Sequence, residues 1–184
     1  MAIIVEDGTG KADANAYVSV AYVSAYLAET GNDAAWLALA SEALREHAIV
    51  KATRYIDQRY ARRFLDDRRV RTQALEWPRN DIYDQSGQLW IASNEVPPGI
   101  QKATAEYAQR ASVGAIELIT DPTSSRTPME TKKKIGPIEK SEKFGSSRGT
   151  SGLVPPAAFS AYPAADLWIE PLLTGRQGTQ LMKA

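Results

Sequence analysis

The chain has no cysteine and a single histidine, His47. Without thiols there are no disulfides and no thiolate metal sites, and the composition suits a reducing interior. With no cysteine and no serine in a nucleophile-elbow pattern, a catalytic triad has nothing to assemble around His47, which reads as a residue on the flank of a structural helix. Net charge is absent too, since 22 Lys plus Arg balance 22 Asp plus Glu, and this argues against simple polyanion binding. No apolar run approaches the roughly 20 residues of a membrane span. Met1-Ala2-Ile3-Ile4-Val5-Glu6-Asp7 has no basic leader and turns acidic, unlike a secretory signal. Gly145, Gly149 and Gly152 lack the Gly-Lys-Ser/Thr ending of a phosphate loop and read as linker. The expectation is a soluble, cytosolically made, non-enzymatic protein with no metal, no cofactor and no membrane partner.

What the chain does have is charge of each sign in separate places. Residues 1–46 are acidic, with only Lys11 and Arg45 against seven carboxylates, whereas residues 54–79 hold eight arginines against Asp57, Asp66, Asp67 and Glu76. Such a split suits packing between identical subunits, and it suits DNA contact through Arg62, Arg63, Arg68 and Arg69. Asp66-Asp67 lacks a calcium-loop or zinc-helix context and reads as a turn paired with Arg68 and Arg69. Tyr55, Tyr60 and Phe64 interleave with the arginines, an arrangement that permits base stacking. Tyr55 nevertheless shares the helical phase of Leu44, Ala48 and Ala52 and belongs to a core stripe. Lys132-Lys133-Lys134 reads as a solvated face.

Periodicity predicts a mainly α fold: a small helical bundle core over 1–120 with a short hairpin, and an extended C-terminal arm over 121–184 carrying a strand and a terminal short helix. Ser19 caps a helix over 20–29 that stops at Gly31. Asp33 caps a brief turn in which Trp36 plugs the joint, and Ser41 caps a long helix over 42–62. Leu75-Glu76-Trp77 before Pro78 is extended. Ile82-Tyr83 and Leu89-Trp90-Ile91 flank a turn, and Pro98 opens a helix running to about Thr120. Beyond it, 123–131 is polar, 132–144 is a weak strand, 145–163 is rich in Gly, Ser and Pro, and Pro163 opens the last helix.

The blocks Asn15-Ala16-Tyr17-Val18-Ser19-Val20, Ala52-Thr53-Arg54-Tyr55-Ile56-Asp57, Gln73-Ala74-Leu75-Glu76-Trp77-Pro78-Arg79 and Val96-Pro97-Pro98-Gly99-Ile100, with Trp36 between the first two, resemble the head-tail adaptor (connector, head-completion) proteins of tailed double-stranded DNA bacteriophages. Lys134-Ile135-Gly136-Pro137-Ile138-Glu139 and residues 163–173 resemble that group more loosely. One departure is Tyr22, which stands where an acidic residue would complete a capping box with Ser19.

The resemblance implies a virion protein of the neck, made in the host cytoplasm. About a dozen copies would form a homo-oligomeric ring that extends the DNA channel beneath the portal protein and docks the tail or a stopper protein. Genome DNA would pass through without sequence-specific binding. Ile135, Ile138, Trp168, Leu172 and Leu173 would hold the portal or a neighbouring subunit. Similar sequences are also labelled single-stranded-DNA-binding proteins by likeness to a primosomal factor, so a single-stranded-DNA-binding replication protein is the alternative.

Overall fold

The computed structural model describes residues 2–113, the backbone of strands 130–135 and 138–143, and residues 162–174. Among these, five α-helices dominate: α1 Val20–Thr30, α2 Ala34–Leu37, α3 Glu42–Tyr60, α4 Pro98–Ser112 and α5 Pro163–Ile169. Two small antiparallel sheets accompany them, β1 Ile82–Tyr83 with β2 Leu89–Ile91, and β3 Glu130–Ile135 with β4 Ile138–Lys143. The class is mainly α.

Local chemistry sets the helix ends. Ser19 Oγ accepts the Tyr22 amide at 3.2 Å and Ser41 Oγ accepts the Leu44 amide at 3.4 Å, each satisfying a donor that a helix start leaves orphaned. Gly31 closes α1 at φ 69°, a left-handed value that a side chain would strain. Asp33, expected as a cap, makes no capping side-chain bond. The single turn of α2 is held by Trp36, fully buried, whose Nε1 donates to Ser24 Oγ at 2.9 Å.

The core lies between α3 and α4. Ala48, Ile49, Ala52, Tyr55 and Ile56 of α3 and Ile100, Ala103, Tyr107 and Ala108 of α4 are buried. Removing Ile49 or Ile56 side chains from water contributes about 1.5–3 kcal/mol each, and truncation to Ala would cost about 2–5 kcal/mol. Leu44 belongs to the predicted stripe by spacing yet is 45% exposed, and it lines an open cleft with Ala48 and Ala111. The long helix also ends earlier than expected, at Tyr60, and tightens into a 3-10 turn over Ala61–Arg63. Gly99 lets α5 approach closely: a Cβ there would lie 2.6 Å from the Trp168 carbonyl oxygen.

Met1–Ile116 together with Ala161–Ala184 form one compact unit, and Glu117–Ser160 form a second. The terminal helix α5 groups with the helical unit and packs against α4. The single strand expected over 132–144 is a hairpin, running from Glu130 opposite Lys143 to Ile135 opposite Ile138. The stretches expected as linker, including Gly145, Gly149 and Gly152, lie outside the described residues.

Candidate nucleic-acid interface

Arg59, in the last turn of α3, is bound into the core by α5. Its guanidinium donates to both Asp166 oxygens at 3.1 Å, a bidentate pair, and to the Tyr55 and Tyr107 hydroxyls at 2.8 and 3.2 Å. Asp166 also accepts from the Tyr60 hydroxyl at 2.8 Å, the Tyr162 amide at 2.9 Å and the Tyr107 hydroxyl. The rings of Tyr55, Tyr107 and Tyr162 meet edge-on, with centroids 4.9 to 6.3 Å apart. Burial pushes the Tyr60 and Tyr107 phenols well above their ordinary range. Burial acts to raise Asp166 as well, but Tyr107, the Tyr162 amide, Tyr60 and Arg59 outweigh it and hold this carboxyl below its usual value. The cluster locks α5 onto α3 and α4.

A second cluster joins three of the blocks that carry the sequence resemblance. The Tyr17 hydroxyl donates to Asp57 Oδ1 and accepts the Trp77 amide at 3.2 Å, the Glu76 amide donates to Asp57 Oδ2 at 3.3 Å, and Thr53 Oγ1 accepts the Tyr17 amide at 3.4 Å. Burial raises Asp57 to about 7 despite the lowering by Tyr17 and the Glu76 amide. The Trp77–Pro78 peptide is cis. Arg79, 5% exposed, donates to the Leu65 carbonyl at 2.8 Å, to the Asp66 carbonyl and to Glu76 Oε2 at 3.0 Å.

The backbone of the arginine segment 62–71 is fastened by these contacts and by main-chain bonds, the Arg69 amide to the Pro78 carbonyl at 3.2 Å and the Asn80 amide to the Asp67 carbonyl at 3.0 Å, while most of its arginine side chains stay at the surface. Arg62, Arg63, Arg68, Arg69 and Arg71 are exposed, and none is ion-paired among the described residues. The expected pairing of Asp66-Asp67 with Arg68 and Arg69 is absent. Asp66 stands at φ 56°, and its Oδ1 accepts the Asp67 amide at 2.6 Å and Asn80 Nδ2 at 3.2 Å. Arg69 instead donates to the Gly8 carbonyl at 2.8 Å, and the Arg63 guanidinium lies 5.9 Å over the Tyr60 ring. Tyr55, Tyr60 and Phe64 are buried, so the interleaved aromatics offer a base no free face.

The residues expected to hold a portal or neighbouring subunit fall in different settings. Leu172 is buried, and its carbonyl accepts the Leu65 amide at 3.0 Å. Half-buried Leu173 bridges Phe64. Both therefore seal the chain's own core. Ile135 and Ile138 face each other in the β3–β4 register, and their side chains lie outside the described residues. Trp168 is 40% exposed.

Sequence reading missed Trp90. Its register places Ile82 opposite Ile91 but Tyr83 opposite Leu89, which leaves Trp90 as the extra residue of a bulge, 48% exposed. Bulges re-aim side chains, and here Trp90 and Trp168 line one cleft of about 400 Å³ with Glu95, Pro98, Pro171 and Leu172. Lys102 Nζ stands 4.3 Å over the Trp168 ring. The alternation of Leu89-Trp90-Ile91 carries no sign of the bulge, although a tryptophan beside a turn is itself a signal. His47 is exposed on the rim of a separate apolar cleft with Leu39, Leu44 and Ala111.

Fold and site together define a small, mainly helical protein that exposes several guanidinium groups on one segment and two half-exposed tryptophans flanking a cleft. A family model described as "Putative DnaT-like ssDNA binding protein" matches residues 1–184, and the chain belongs to that family. Neither a curated protein nor a solved structure matches it. The family match overturns the head-tail adaptor assignment. With that assignment go the virion role, the portal and tail or stopper partners, the ring, and the idea that DNA only passes through. The physical reason is in the second cluster: the blocks at Tyr17, Thr53–Asp57 and Glu76–Arg79 fasten the core to itself, and blocks of that kind mark a fold without marking a partner.

Proposed function

We propose that this protein binds single-stranded DNA, without catalysis, through the arginine segment 62–71. One observation carries the reading: Arg62, Arg63, Arg68 and Arg71 are exposed and unpaired among the described residues, while Asp66 in the same loop is engaged by Asp67 and Asn80. The family's printed description supports it. The zero net charge is no obstacle, because charges more than about 8 Å apart are largely screened at physiological salt and a phosphate senses the local arginines. Each guanidinium that meets a phosphate releases counterions, so log affinity falls with log salt by about 0.7 per contact on a single strand.

The test is a salt titration of binding to a fluorescent oligothymidylate. Replacing Arg62→Ala and Arg63→Ala together should flatten the log–log slope by about 1.4 and weaken low-salt binding, with circular dichroism unchanged. A shallow wild-type slope, or a double variant with the wild-type slope, would refute the proposal.

A further inference from the structure

We infer that the cleft between Trp90 and Trp168 is the subsite that takes one unstacked base of the bound strand, an inference that rests on the single-stranded-DNA reading above. Four tryptophans occur in the chain. Trp36 and Trp77 are fully buried and serve the core, whereas Trp90 and Trp168 are 48% and 40% exposed and line the same cleft. Two indoles that a fold leaves half in water across about 400 Å³ provide the flat apolar faces on which bases stack.

The register irregularity between β1 and β2 strengthens this. It singles out Trp90 as the unpaired residue of the short hairpin, and neither of the two hydrogen-bonded clusters described above includes that side chain. Among the remaining lining residues, Pro98, Pro171 and Leu172 bring apolar side chains without hydrogen-bonding groups. Polar groups at the rim are few and of opposite kinds. Glu95 is an acceptor, able to take an exocyclic amine, and Lys102 over Trp168 is a donor and a cation.

Charge and continuity select a nucleic acid strand as the occupant. Leu172, in the cleft wall, accepts the Leu65 amide at 3.0 Å, and Leu173 bridges Phe64, so the cleft wall is joined by main chain to the arginine segment. Arg63 and Leu173 line a neighbouring groove of about 290 Å³ with Tyr60, Leu167 and Glu170. A strand whose phosphates lie along the exposed arginines thus has an aromatic slot beside it for a base.

The experiment compares an oligothymidylate of about 16 nucleotides with an abasic strand of equal length, using wild type, Trp90→Ala and Trp90→Phe. For Trp90→Ala, affinity for the oligothymidylate should fall on the order of 10- to 100-fold, while affinity for the abasic strand and the salt slope stay at wild-type values. Trp90→Phe should recover most of the loss, and tryptophan emission of the wild type should be quenched by the oligothymidylate only. Equal effects on both strands, or no effect on either, would overturn the cleft assignment and leave the arginine reading standing. Failure of the wild type to bind either strand at low salt would overturn both.

Discussion

Arg59 and Arg62 stand one helical turn apart and have opposite surroundings. Arg59 is held by a carboxylate and by tyrosine hydroxyls, inside a cluster that also holds α5. Arg62 is exposed with no ion-pair partner among the described residues. Arg79 repeats the first case and Arg68 the second. An arginine whose donors are already filled by the fold cannot meet a phosphate without breaking the fold, and an exposed one must find its partner elsewhere. The comparison therefore separates the guanidinium groups that hold the structure from those left for a ligand, though the sequence writes both with the same letter.

The largest effect that tests the buried side is a pH dependence at Asp57. Its carboxyl ionises near 3.8 in an unfolded chain and near 7 when folded, so the folded state keeps its proton longer. The stability this contributes is complete below about pH 4, declines as pH rises, and is gone above about pH 7. The span corresponds to on the order of 4 kcal/mol. Urea unfolding of wild type and Asp57→Asn across this range should give a difference that changes steeply between these limits and is flat outside them. A difference independent of pH would mean that Asp57 is ionised in the folded core.

Next in size is Asp166→Ala. It leaves Arg59 facing tyrosine hydroxyls without their shared acceptor and frees the start of α5, so it should cost about 3 kcal/mol in unfolding. Arg62→Ala should stay within about 0.5 kcal/mol. Similar losses for the two would erase the distinction on which the comparison depends.

Much of the fold was legible from residues alone. Ser19, Ser41 and Gly31 act at the helix ends as their chemistry predicts, the β1–β2 turn falls where expected, and Trp36 fills its joint. These are local effects, readable because each is decided within a few residues. Asp166 was illegible as a clamp because its partners, Arg59, Tyr60 and Tyr107, lie more than fifty positions away. That distance made a helix fastened to the core look like the tip of an arm. The candidate site was half legible: arginine density marked the segment, but only coordinates separate the exposed guanidinium groups from Arg59 and Arg79. Trp90 was missed because a bulge is a property of two strands.

The smallest effect is also the sharpest, because it sets neighbours against each other. Arg68 and Arg69 are both exposed, but Arg69 donates to the Gly8 carbonyl at 2.8 Å whereas Arg68 makes no side-chain hydrogen bond or ion pair among the described residues. Arg69→Ala should therefore cost about 1 kcal/mol of stability and take little from the salt slope of DNA binding. Arg68→Ala should leave stability alone and lower the slope by about 0.7. Unfolding curves and salt titrations on the two single variants measure both quantities. If Arg69→Ala proved the more damaging to binding, a hydrogen bond to the fold would not mark an arginine as unavailable, and Arg59 and Arg79 would return as candidate DNA contacts.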